Sequence, residues 1–189
     1  AVRITGEVLT GTWEALSTGR ADLAIGVGTA AISGSGLAAR PLGEVRFVFA
    51  VSPRHPLARA VEPLPAELIQ RHRAVAVGDT ARSMPLFSTG LLSGQDVLTV
   101  PTMRAKLEAL LRGLGCGYIP EPLARPHLEA GRLVARETTG GVYSATLHYA
   151  WRAERGELGL GKALQWWLEQ LASATTRRAL LDRHAGPRS

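Results

Sequence analysis

Apolar runs in this chain are short, and they alternate with segments of helical period. That alternation constrains the fold more than any other feature. The longest strongly apolar run, Phe47-Val48-Phe49-Ala50-Val51, falls far short of the ~20 residues needed to cross a membrane. Strand character is expected at Val2–Leu9, where Val2, Ile4 and Val8 share one face, and at Asp22–Val27, Val45–Val51, Ala74–Val77, Asp96–Val100, Cys116–Ile119, Arg132–Arg136 and Tyr143–Trp151. Helices are expected between them. Thr12 is placed to cap a short helix carrying Trp13 and Leu16, ended by Gly19, and Pro65 opens another at Leu68 and Ile69. Thr102 caps a helix over Met103–Leu114, whose Met103, Leu107, Leu110, Leu111 and Leu114 form one stripe. Leu160, Leu164, Trp167, Leu168 and Leu171 repeat the same spacing. The small-residue stretch from Gly28 to Arg40 predicts a loop, and the tail from Ala185 to Ser189 a frayed end. Strands separated by helices predict an α/β fold with mainly parallel sheets.

Composition narrows the class further. A chain of 189 residues with 46% hydrophobic and 20% charged residues is globular rather than disordered or fibrous. Its 21 glycines and 11 prolines predict many short elements. The net charge is +6, and all but two of the 22 basic residues are arginine, the exceptions being Lys106 and Lys162. The arginines are scattered and aromatics make up only 5%, so neither a basic stripe nor a stacking platform for nucleic acid is legible. The lone Cys116 excludes an internal disulfide. The first residues lack the charged and apolar regions of a secretory leader, and the expected location is the cytoplasm.

Several apparent catalytic motifs dissolve on inspection. Gly26-Val27-Gly28-Thr29-Ala30-Ala31 fits a dinucleotide fingerprint, but Ile32-Ser33-Gly34-Ser35-Gly36 follows it where a helix should begin. A dehydrogenase reading would need nicotinamide binding there. His55, His72, His127, His148 and His184 show no ligand spacing, and Cys116 lies among apolar residues without a resolving partner. Glu62, Glu67, Glu108 and Glu129 fall on separate turns and exposed helical faces. No nucleophile elbow is present. The expectation is no enzyme, no cofactor and no metal.

Four segments in order resemble one family. Leu16-Ser17-Thr18-Gly19-Arg20-Ala21-Asp22-Leu23-Ala24-Ile25 is similar to the "L-x-x-G-x-x-D-L-A-I" segment of the effector-binding domain of LysR-type transcriptional regulators. The strand from Phe47 followed by His55-Pro56-Leu57-Ala58 is similar to its "H-P-L-A". Gly113-Leu114-Gly115-Cys116-Gly117-Tyr118-Ile119-Pro120 is similar to its "G-x-G-I-x-x-L-P" region, and Leu128-Glu129-Ala130-Gly131-Arg132-Leu133-Val134 to its "L-x-x-G-x-L-V".

The resemblance implies the two-lobed fold of type 2 periplasmic binding proteins, with two interlobe crossover strands near Val45–Val51 and Gly140–Tyr143. Lobe one is then 1–46 plus 142–189, and lobe two is 47–141. It implies a regulatory domain that takes a small molecule, anionic or aromatic, into the interlobe cleft and modulates DNA binding and transcription. Promoter DNA would be contacted only through an N-terminal domain absent from this chain. The domain is expected to form a homodimer, with Val2, Ile4 and Val8 on an exposed strand edge, and to have no membrane partner. Because the match starts at the family's second strand, a first strand and helix are expected upstream, or else a strand donated by a neighbouring chain, or the Val2 strand moved inward in its place. The alternative is a periplasmic solute-binding protein of a transporter. Ligands in such sheets collect at the C-terminal ends of strands beside helix N-termini. That makes Gly28, Thr29, Thr80, Arg82, Ser83, Pro101, Thr102 and Met103, with Tyr118, the candidate effector contacts.

Overall fold

A computed structural model describes residues 2–28, 36–84, 90–153 and 161–182. Its helices are α1 (Thr10–Ser17), α2 (Ala66–Gln70), α3 (Met103–Leu111), α4 (Glu121–Glu129), α5 (Lys162–Ala172) and α6 (Ala174–Asp182). Its strands are β1 (Leu23–Val27), β2 (Leu37–Val51), β3 (Ala74–Val77), β4 (Val97–Val100), β5 (Gly117–Pro120), β6 (Val134–Arg136) and β7 (Tyr143–Arg152). The chain divides into two compact units. The first is Ala1–Glu44, Asp79–Phe87 and Thr146–Arg183; the second is Val45–Gly78, Ser88–Ala145 and His184–Ser189. β2 and β7 each pass from one unit into the other.

In the first unit β7 lies between β1 and β2. β1 runs antiparallel to β7, with Leu23 opposite Trp151 and Ile25 opposite Tyr149. Ala24, Val27 and Ala150 pack against Trp13 and Leu16 of α1, a register shift between Ile25 and Val27 bringing both β1 residues to that face. Tyr149, Trp151 and Leu42 pack with Leu171, flanked by Leu164 and Leu168 of the same helix, α5. The expected stripe on α5 is thus the packing face, although Leu160 lies outside the described residues.

In the second unit β3 and β4 are parallel, Ala74 opposite Val97 and Val77 opposite Val100. A parallel bridge from Ala74 to Cys116 places the start of β5 beside β3. β5 pairs antiparallel with the second half of β2, and so does β6. α3 covers one face through Leu107 and Leu110, which meet Val75, Ile119 and Leu133. The other face carries Phe49, Val51, Leu57, Leu64 and Ile69. Gly113, at φ +72°, ends α3. The Leu114 amide donates to Ala109 O and the Gly113 amide to Leu110 O, the doubly bonded glycine cap.

Four expectations need correction. The sheets are not mainly parallel: in the larger sheet β1–β7, β2–β5 and β2–β6 are all antiparallel. Helix–strand alternation makes parallel neighbours only where the connection returns the chain beside a strand running the same way, as α3 does in bringing the start of β5 next to β3. β2 and β7 leave one unit for the other, and their neighbours come back the opposite way. Val2–Leu9 is not a strand; residues 2–7 have no ladder, and Val2 and Ile4 are exposed. The expected loop up to Arg40 already belongs to β2 from Leu37 onward. α3 stops at Leu111, leaving Leu114 half-exposed beyond its cap.

Candidate functional site

The expected effector contacts fall into two groups, one in each unit, and their side chains are not equally free. In the first unit the segment after β3 lies against α1. Leu9 precedes that helix at φ 50° and offers no side-chain cap, and Thr12, the expected cap, lies inside α1. The carboxylate of Asp79 does the capping instead, accepting the Thr10 amide at 3.2 Å, the Gly11 amide at 3.0 Å and the Ala81 amide at 2.9 Å. Free N–H groups at a helix start attract a carboxylate for both dipole and hydrogen-bond reasons. Gly11 is required there, because a Cβ would stand 2.0 Å from Thr80 Oγ1 and 2.7 Å from the Thr80 carbonyl carbon.

One turn on, Glu14 is buried on α1. Its carboxylate accepts the Arg82 amide at 2.7 Å, the Ser83 amide at 2.8 Å and the Ser83 hydroxyl. Those bonds, the Ser83 hydroxyl first and the Arg82 amide next, hold its acidity stronger than an ordinary carboxyl's. Thr80 Oγ1 donates to Glu7 at 2.6 Å and accepts the Val8 amide at 2.9 Å. Arg20 ties Glu7 at 3.0 Å and approaches Glu14 at 3.8 Å. Thr80 and Ser83 are therefore committed to the fold, while Arg82 gives only its amide and leaves its side chain exposed. Gly28 is exposed, and Thr29 lies outside the described residues.

In the second unit Pro101 and Thr102 are exposed at the end of β4. Thr102 Oγ1 accepts the Ala105 amide at 3.1 Å, so the predicted N-cap forms. Met103 is half-buried against the core under α3. Tyr118 is half-buried on β5, its hydroxyl 2.8 Å from Thr138 Oγ1. Its ring meets the edges of Phe49 and Tyr143 at 5.3 Å and 5.7 Å between centroids, and Phe47 lies 5.0 Å from Tyr143. The second unit thus carries two separate features, an open helix start at Thr102 and an aromatic row ending on Tyr143. Tyr143 itself is 39% exposed.

Sequence inspection missed Lys106. It is buried on α3, and its ammonium lies near the position a Cβ on Gly117 would occupy, 3.4 Å away. Burial pushes it down to about 8, with the Cys116 thiol acting weakly the other way. Burial also pushes Cys116 up to about 11, against the pull of Lys106. A thiol this protonated is unreactive, which agrees with the inert reading of Cys116. The signal for Lys106 was its spacing, three residues after Met103 and four before Leu110, on the apolar face. His55 Nδ1 accepts the Leu57 amide at 3.2 Å and its ring sits 5.0 Å from His72. Among the described residues no three His, Cys, Asp or Glu side chains converge as metal ligands, and no helix is long and apolar enough to cross a membrane.

Comparison with known proteins gives a consistent picture. The family model for the LysR substrate binding domain matches residues 1–176. The chain is 37% identical over 164 residues to the uncharacterized HTH-type transcriptional regulator YeeY of Escherichia coli K12, covering 87% of this chain and 52% of that protein. It is 36% identical over 129 residues to the HTH-type transcriptional activator AllS of Klebsiella pneumoniae, covering 68% and 48%. The chain spans about half the length of these relatives. Among solved structures, the regulatory domain of MetR, a LysR family regulator from N. meningitidis, superposes with a TM-score of 0.60 at 22% identity, over 90% of this chain and 76% of that one. Full-length LysG from Corynebacterium glutamicum with bound effector Arg superposes at 0.59 and 20% identity, over 93% and 57%. These likenesses carry the fold.

Proposed function

The chain belongs to the LysR substrate-binding domain family, and from that premise we propose that it is the effector-binding and oligomerisation domain of a LysR-type transcriptional regulator. The observation that carries this reading is the 37% identity to an HTH-type transcriptional regulator over 87% of the chain. The relatives are regulators rather than enzymes or transport proteins, which favours this reading over the periplasmic alternative. Lobe one comprises 1–46 and 142–189 and lobe two 47–141, a division supported by the two compact units, although residues 79–84 pack on the first. The regulator works in the cytoplasm. It engages promoter DNA through a helix-turn-helix domain outside these residues.

The effector is a small molecule with an anionic group or an aromatic ring. The amides at the start of α3 beside Thr102 suit a carboxylate, and the row Phe47, Tyr143 and Tyr118 suits a ring. LysG's effector, arginine, also bears a carboxylate. A ligand that favours one arrangement of two strand-linked units shifts the population toward it, and linkage to DNA-binding domains turns that shift into a transcriptional output. Of the first-unit candidates, Gly28, Thr29 and the Arg82 side chain are retained as contacts; Thr80 and Ser83 act by holding the segment that presents Arg82.

A thermal-shift screen of small carboxylates and aromatic acids tests the proposal. A saturable rise in melting temperature with one chemical class is expected, since binding to the native state alone stabilises it. A screen without any such rise contradicts it. The domain pairs as a C2 homodimer, so light scattering at micromolar concentration should return twice the 20.1 kDa chain mass; the chain mass alone contradicts the pairing.

A further inference from the structure

The second unit carries a shallow surface cavity of about 340 Å³ lined by Ser52, Pro53, Arg54, Leu111 and Arg132. Its position follows from the strand register. Phe47 lies opposite Pro120 and Ala50 opposite Gly117, so Ser52, beyond the end of β2, lies past the start of β5. Thr102 follows the end of β4, which is parallel to β3 and, through the Ala74–Cys116 bridge, to β5. The cavity and Thr102 thus lie at opposite strand ends, joined by the length of α3. We infer that this cavity is a second ligand site, distinct from the proposed effector contacts, that takes a small oxyanion of the carboxylate or phosphate class.

Three observations support it. Arg54 and Arg132 are both exposed, and neither guanidinium has a carboxylate or carbonyl partner among the described residues. Two planar forks on one cavity are suited to bidentate contact with an oxyanion. The arginines are also not needed as helix caps, because the closing turn of α3 is already satisfied: the Arg112, Gly113 and Leu114 amides bond Glu108, Leu110 and Ala109 carbonyls. Finally, buried Ser52 accepts the Arg54 amide at its Oγ, at 3.4 Å, which leaves the hydroxyl proton to donate into the cavity. The volume lies at the lower end of the ~300–1,000 Å³ range of small-molecule pockets, suiting a compact ligand.

The test is amide NMR on the full chain, titrated separately with inorganic phosphate and with succinate at ionic strength held constant with sodium chloride. Saturable shifts are expected at Ser52, Arg54, Gly113 and Arg132. The double variant R54A/R132A should weaken binding by at least about tenfold, a difference of ~1.4 kcal/mol, while T102A leaves it unchanged. The His127 ring gives a second readout: burial first and Arg132 second hold its proton affinity down, so an anion bound at Arg132 should raise it. Saturation by one titrant or by both supports the site and assigns the oxyanion. Absence of saturation with either, shifts that survive R54A/R132A, or equal weakening by T102A overturns it.

Discussion

Glu14 and Ser83 stand 69 residues apart in the chain and are joined twice: the Glu14 carboxylate accepts both the amide of Ser83, at 2.8 Å, and its hydroxyl. With the Arg82 amide on the second oxygen, one buried carboxylate fixes the segment that follows β3. Replacing Ser83 by alanine removes one donor but keeps the amides, so it should lower the melting temperature less than Glu14→Gln. The reverse order, measured by thermal unfolding at neutral pH, would show that the segment is not held through Glu14.

The same bonds set a pH dependence. Glu14 is a stronger acid in the folded chain than its ordinary value of 4.5, so its contribution is fully present above that value. It is lost as pH falls through the lower folded value. Melting temperature against pH should therefore fall more steeply below about pH 4.5 for the natural chain than for Glu14→Gln. Parallel curves would mean that the carboxylate is not preferentially stabilised in the fold.

Gly11 makes the other half of that contact. A Cβ there would meet the Thr80 backbone at 2.7 Å and the Ala81 nitrogen at 2.8 Å, atoms that move only with the chain. Gly11→Ala should destabilise by about 1–3 kcal/mol, the usual range for overpacking. The helix propensity of alanine works in the opposite direction, so a stabilised variant in urea unfolding would place the segment farther from α1.

These relationships mark where the sequence was legible. The stripe Met103, Leu107 and Leu110 announced α3 and Thr102 its start, because those signals lie within a dozen residues, but its end was read at Leu114, past the cap that Gly113 makes. The cap of α1 was not visible, because it comes from Asp79, 68 residues beyond Gly11. Nor was the beginning of β2: Ala38, Ala39, Arg40, Pro41 and Gly43 carry no strand propensity, and their extended form comes from lying beside β7 in the sheet. Strand direction failed for the same reason, since alternation of elements reports order along the chain and not neighbours in space. Among the candidate contacts, Thr102 could be placed from its own helix. The engagement of Thr80 and Ser83 by Glu7 and Glu14 depends on distant partners.

Thr102 separates structural from functional roles. As an N-cap its hydroxyl holds the Ala105 amide, and Thr102→Ala should cost about 1 kcal/mol. If the start of α3 also receives the effector, the variant should bind the compound found by screening more weakly than that loss of stability explains. An affinity equal to that of the natural chain removes Thr102 from the site and leaves it a cap.

Lys106 offers a test of opposite sign. Its folded value is pushed down to about 8 from an ordinary 10.5 by burial, so the unfolded chain binds a proton that the folded chain gives up between those values. Stability therefore carries a penalty at neutral pH that is relieved as pH rises from about 8 to 10.5. The penalty is at most about 3 kcal/mol, from 1.36 kcal/mol per unit. Lys106→Met keeps the length of the side chain among Leu107, Leu110 and the Gly117 backbone without the charge. It should raise unfolding free energy at pH 7 and flatten the alkaline rise. A variant that loses stability at pH 7 would show instead that the ammonium has a favourable partner in the fold, and that burial is not the dominant influence on it.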